Sequence, residues 1–204
     1  LYDASKDNFT AIPITDKKKG ITIRNAFNMC TDWEGNLWIT GWDCGIFHYN
    51  KEDGVFTNHM TRWGRPVLSG RIHTIAEPEQ GTLLMGSDEG ITLLDYRTGA
   101  YETTSYSPSE YNSLSDSFVH DICLDREGGL WLATYFGGVN YMNPNSRSFS
   151  LGKCAKNATK GRVISKFCEN GDGRIWIGTD DGGLFLYDPH KNDSRMVTVD
   201  DNIH

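Results

Sequence analysis

Asp172-Gly173-Arg174-Ile175-Trp176-Ile177-Gly178-Thr179-Asp180-Asp181-Gly182-Gly183-Leu184-Phe185-Leu186-Tyr187-Asp188 holds two short apolar runs separated by a polar turn ending in glycine. That pattern predicts a β-hairpin. Weaker copies recur upstream. The segments beginning Gly35-Asn36-Leu37-Trp38, Gly81-Thr82-Leu83-Leu84, Gly128-Gly129-Leu130-Trp131 and Gly173-Arg174-Ile175-Trp176 start 46, 47 and 45 residues apart. A second register agrees with the first. Tyr2, Tyr49, Leu94, Met142 and Tyr187 each precede an Asp or Asn, and six residues after that acid or amide stands Phe9, Phe56, Tyr101 or Phe149. The last copy has Ser194 there, which predicts an outer strand shifted toward Met196.

Repetition at this period, with strand patterns and no helical stripe, marks a propeller or a similar array. The expected fold is all-β: a β-propeller fragment of about four four-stranded antiparallel blades plus the end of a preceding blade. Residues 1–15 read as that preceding end, and 22–60, 70–106, 117–151 and 162–200 as the blades. One such sheet cannot bury both of its faces, so the copies must stack around an axis. Trp38, Trp131 and Trp176 share one position on the second strand, and Leu84 fills it in the second copy. This reading makes them packing residues chosen for bulk rather than for indole chemistry.

The chain has 204 residues, enough for a real core, and 22 glycines with 12% aromatics suit many short strands and tight turns. A formal charge of -7 argues against nucleic acid as a partner, since phosphate binding needs a basic face. No segment approaches the roughly 18 apolar residues that would span a membrane. Leu1-Tyr2-Asp3 repeats Leu186-Tyr187-Asp188, so the chain is expected to be an excerpt of a longer protein, with any export signal or membrane helix outside it. Of five cysteines, Cys30, Cys123 and Cys168 stand five residues before the turn glycine, where a small buried group is expected.

In a meander, the loops joining strands two and three lie at the same end as the blade connections, and loops on a rigid scaffold concentrate function. The ligand-binding candidates at that end are Trp42, Asp43, Trp63, Arg65, Arg71, His73, His120, Tyr135, Phe136, Arg162, Asp180 and Asp181. The aromatics offer flat apolar faces, and the charged groups offer hydrogen bonds to hydroxyls or carboxylates. His73 and His120 occupy equivalent positions, eight residues before the turn glycine, where the other copies have Phe27 and Ser165. Two imidazoles can meet there, but metal binding needs three or four ligands, so no metal and no cofactor is expected. There is no nucleophile elbow, phosphate-cradling loop or His-Glu-x-x-His, and no enzymatic activity is expected of this stretch.

The pattern Asp-x-x-Gly-x-Leu-Trp-Ile-Gly-Thr-x-x-Gly-Gly-Leu-x-x-Tyr-Asp resembles the two-component regulator propeller repeat. It is near complete from Gly173 to Asp188, with Asn170 where the leading acid belongs, and recognisable from Asp32 to Asn50 and Asp125 to Asn143. The second copy, Pro78 to Asp95, departs most, with Pro78 replacing the acid. The resemblance implies the periplasmic sensor portion of a membrane-bound hybrid histidine kinase of the kind that detects glycan fragments in gut Bacteroidetes. It implies as partners an oligosaccharide or other small ligand, further propeller blades, a downstream β-sandwich and kinase modules of the same parent chain, and a homodimer. In that family the ligand also sits at the border with the sandwich. Two rival readings remain: a streptogramin-lyase-like propeller enzyme using His73 or His120 with Asp180, and a pure protein-interaction propeller.

Overall fold

Gly35, Gly81, Gly128 and Gly173 all take φ between 82° and 94°, a left-handed turn conformation that side chains with a Cβ resist. This is why glycine is the most regular feature of the repeat. The structure, a computed structural model, describes residues 2–41, 44–59, 61–62, 65–66, 71–110, 113–144, 149–151, 163–180, 182–191 and 193–198, with backbone only at 61–62, 65–66 and 149–151.

The strands run β1 (Tyr2–Asp3), β2 (Asn8–Phe9), β3 (Thr15–Asp16), β4 (Ile21–Thr22), β5 (Ala26–Thr31), β6 (Leu37–Gly41), β7 (Ile46–Asn50), β8 (Val55–Asn58), β9 (Thr61–Arg62), β10 (Arg65–Pro66), β11 (Ile72–Glu79), β12 (Thr82–Ser87), β13 (Gly90–Asp95), β14 (Tyr101–Thr104), β15 (Val119–Leu124), β16 (Leu130–Thr134), β17 (Gly138–Met142), β18 (Phe149–Leu151), β19 (Ile164–Glu169), β20 (Ile175–Thr179), β21 (Gly183–Asp188) and β22 (Asp193–Val197). Four four-stranded antiparallel meanders result: β5 to β8, β11 to β14, β15 to β18 and β19 to β22. No described residue is helical. β1 and β2 form a hairpin with Tyr2 opposite Phe9, the register that Tyr49 and Phe56 keep between β7 and β8.

Blades meet through the tryptophan position. Trp38 packs with Ile46 against Ile72, Ile75, Leu83 and Met85 of the second blade. Leu84 packs with Ile91 against Val119, Leu130 and Leu132 of the third. Trp131 and Val139 pack against Ile164, Ile175, Ile177 and Phe185 of the fourth. Burying a side chain of this size removes roughly 200 Å² from water, an upper figure of about 5 kcal/mol. At the fourth blade, Leu184 stands in register with Ile46, Ile91 and Val139 yet is 37% exposed against their 1%, 6% and 0%. Cys168, paired with Trp176, is exposed while Cys30 and Cys123 are half-buried. No further blade covers that face among the described residues.

Three expectations are corrected. Cys168 is exposed where a small buried group is expected, because no further blade covers it among the described residues. Indole chemistry is used: Trp38 Nε1 donates to Asp32 Oδ2 at 3.0 Å and Trp131 Nε1 to Asp125 Oδ2 at 2.8 Å. The other oxygen of each acid accepts turn N–H groups, from Glu34 and Asn36 or from Glu127 and Gly129. The outer strand of the fourth blade is not shifted either. Tyr187 pairs with Ser194 as Tyr49 pairs with Phe56, because the preceding turn sets the register: Asp188 Oδ1 accepts from His190 and Lys191 N–H. Ser194 simply replaces the aromatic ring.

Candidate functional site

Each innermost strand begins with a register irregularity, and one residue falls in it: Phe27 between Ala26 and Asn28, His73 between Ile72 and Thr74, His120 between Val119 and Asp121, Ser165 between Ile164 and Lys166. A bulge bends the strand and re-aims one side chain out of the pleat. In the first three blades the re-aimed side chains meet. Phe27 contacts His73 edge-on with ring centroids 5.8 Å apart, and His73 stacks on His120 at 5.1 Å with 23° between planes. Tyr135, in the turn between β16 and β17, lies nearly parallel to His120, with centroids 5.7 Å apart and 21° between planes. Phe118 fills the angle, 4.7 Å from His73 and 5.2 Å from both His120 and Tyr135. Phe136 stands edge-on to Tyr135 at 4.5 Å and is 78% exposed.

Hydrogen bonds fix this row of rings from three sides. His73 Nε2 lies 2.6 Å from Asp88 Oδ1, in the β12–β13 turn of its own blade. Asp116 bridges the incoming connection and the ledge, accepting from Phe118 N at 3.2 Å and Phe136 N at 2.8 Å. Ser115 donates its hydroxyl to Gly137 O and its N–H to Asn140 Oδ1, and a Cβ at position 137 would collide with it. One residue further along the inner strands, a polar belt ties the blades together. Asn28 donates to Thr74, Thr74 to Asp121 Oδ1, and Asp121 also accepts from Lys166 Nζ and Phe167 N.

Electrostatics set the state of His120. Burial, then His73, holds the His120 imidazole below its ordinary value, against the opposing pull of Asp180. His120 is therefore neutral near pH 7, a flat ring rather than a cation. Burial also pushes the Cys30 thiol up to about 12 and the Cys123 thiol to about 11, so neither is a nucleophile. Among the described residues no group of three His, Cys, Asp or Glu side chains is placed to hold a metal ion.

Of the candidates read from sequence, the structure brings His73, His120, Tyr135 and Phe136 together, with Asp180 near enough to act on His120. Arg71 is exposed just before β11, two residues from His73. Arg65 lies in β10, where only backbone is described. Trp42, Asp43, Trp63, Arg162 and Asp181 lie outside the described residues. Phe118 is missed as a site residue, while Asp88 and Asp116 lie in the 87–89 turn and the 107–117 connection that the sequence reading places at this end without naming either as a ligand candidate. Phe118 has a signal, since it stands two residues before His120 as Arg71 does before His73; Asp116 has none, because the other copies carry Ile23, Ser69 and Gly161 at the corresponding position, four residues before the bulged residue.

The sequence pattern of the two-component regulator propeller family matches residues 113–136 and 160–181. The first segment contains Asp116, Phe118, His120 and Tyr135. No curated protein matches the sequence. Among solved structures, an extracellular domain assigned to a hybrid two component system of B. thetaiotaomicron, BT3049, superposes with a TM-score of 0.72 at 20% identity, covering 88% of this chain and 25% of that one. The extracellular domain of BT4673 from the same organism gives 0.67 at 22%, covering 85% and 24%. The WD40 propeller of Doa1 gives 0.57 at 15%, covering 79% and 49%. The chain thus spans about a quarter of the length of the two B. thetaiotaomicron domains, and at these identities the likeness is one of fold: an all-β propeller arc.

Proposed function

We propose that this chain, two segments of which carry the two-component regulator propeller pattern, is a ligand-sensing part of an extracytoplasmic, periplasmic sensor whose channel mouth receives a ring of an oligosaccharide. The observation that carries the reading is the row of stacked rings His73, His120 and Tyr135 ending in the exposed Phe136. Flat apolar faces suit the apolar face of a sugar ring, and Asp88 and Asp180 at the edge suit hydroxyls. Trp42, Asp43, Trp63, Arg65, Arg162 and Asp181 stay in this proposal as ligand candidates on their sequence alone. Output would be a change in dimer geometry passed to a kinase module, driven by different ligand affinity in the two signalling states.

Isothermal calorimetry against a panel of neutral di- to hexasaccharides tests the reading. A binder is expected, and Phe136→Ala should weaken it by roughly 3- to 10-fold, the worth of one stacking contact. No heat with any member would instead favour a protein-interaction propeller. The 2.6 Å contact of His73 with Asp88, beside His120, is the observation that favours an enzyme, since a carboxylate orienting an imidazole is general-base geometry. Turnover of a streptogramin-type lactone with magnesium would establish that reading in place of the sensor.

A further inference from the structure

His120 is partly buried and in contact with three rings, His73, Tyr135 and Phe118. We infer that His73 and His120 form one coupled proton-binding pair and that protonation of His120 and occupancy of the adjacent ledge exclude one another. The inference rests on the reading of the mouth as a ligand site.

The coupling follows from placement. The two rings are 5.1 Å apart, like charges within about 4–6 Å oppose each other, and groups coupled by more than about one pK unit exchange protons in two macroscopic steps that belong to the pair. The surrounding charges are Asp88 on His73, and Asp180, Lys166 and Asp121 around His120; Arg71 stands exposed two residues before His73. Tyr135 adds a phenol ring and Phe118 an apolar one. Asp180 draws a proton onto His120, while burial, His73 and Lys166 resist it. A ring laid on the ledge removes water from what remains exposed of His120 and so favours the neutral imidazole. By linkage, acid that charges His120 must weaken ring binding by the same factor.

The test has two arms. Cε1–H resonances of the 204-residue chain are titrated from about pH 8 to 4 for the parent sequence, His73→Gln and Asp180→Asn, the same spectra reporting that each variant is folded. His120 should titrate later in acid than the ordinary imidazole, move up by roughly half a pH unit or more in His73→Gln and move down in Asp180→Asn. A His120 midpoint unmoved by both substitutions overturns the coupling, and Asp180→Asn, in an exposed turn, keeps the test open should His73→Gln misfold. The second arm repeats the oligosaccharide calorimetry at pH 7.5 and pH 5. Affinity falling by roughly fivefold or more supports the exclusion, and flat affinity overturns it. Coupling seen in the first arm with no heat from any saccharide at either pH would sink the ligand site while leaving the proton pair standing.

Discussion

An acid six residues ahead of a tryptophan does two things at once in this fold. Asp32 and Asp125 close the turn with one oxygen and take the indole proton with the other, so the turn and the joint between blades share one carboxylate. Trp131→Phe keeps the apolar bulk but leaves that oxygen short of a donor, and should cost about 1–3 kcal/mol in urea denaturation. Trp176→Phe should cost under about 1 kcal/mol, because Trp176 is only half-buried and Asn170 stands where the acid would be. The six-residue spacing was visible in the sequence, but the leucine at position 84 made bulk look sufficient. A second residue-scale expectation concerns acid. The folded state holds His120 below its ordinary value, so the unfolded chain binds more protons as the pH falls. The stability this group contributes is therefore intact above about pH 6.5 and is lost as the pH drops through the folded value. Melting temperatures measured between pH 7.5 and 5.5 should decline for the parent chain and decline less for His120→Phe.

Among the elements, the second blade shows how a degenerate repeat is rescued. Pro78 occupies the acid's position, but Glu77 reaches over it: Oε1 accepts from Gly81 N at 2.8 Å and from the Tyr96 hydroxyl at 2.9 Å, and Oε2 accepts from Trp33 N of the first blade at 2.6 Å. Glu77→Ala should therefore loosen the joint between two blades rather than one turn, by about 1–3 kcal/mol. Hydrogen exchange should speed up at both Gly81 and Trp33; exchange speeding at Gly81 alone would deny the bridge. A one-residue offset with a longer side chain is invisible to a motif aligned on position, which is why Pro78 read as a loss. Ser194 misled in the opposite direction. A missing aromatic suggested a slipped strand, whereas the hydrogen-bonded turn at Asp188 holds the register whatever side chain follows. Turn chemistry, repeated in every copy, outranked one side chain.

Across the whole molecule, the four sheets and their radial stacking were legible because sheets that lean on one another must repeat their contact residues at the repeat period. The meeting of His73 and His120 was legible for the same reason, as equal offsets from the turn glycine put them at equal heights on neighbouring blades. The ledge was only half legible: Tyr135 and Phe136 stand out as large rings outside the repeat, but the Asp116 and Ser115 clamp that holds them comes from a connection whose residues do not repeat from copy to copy. Fold and site depend together on two blades presenting bulged side chains to each other at one end. The most direct measurement is the set of nuclear Overhauser contacts among the ring protons of His73, Phe118, His120 and Tyr135. With centroids 4.7–5.7 Å apart, cross-peaks should join His73 to His120 and His120 to Tyr135. Their absence in a folded chain, with His73 and His120 each seeing only its own blade, would contradict both the stacking of the blades and the mouth built upon it.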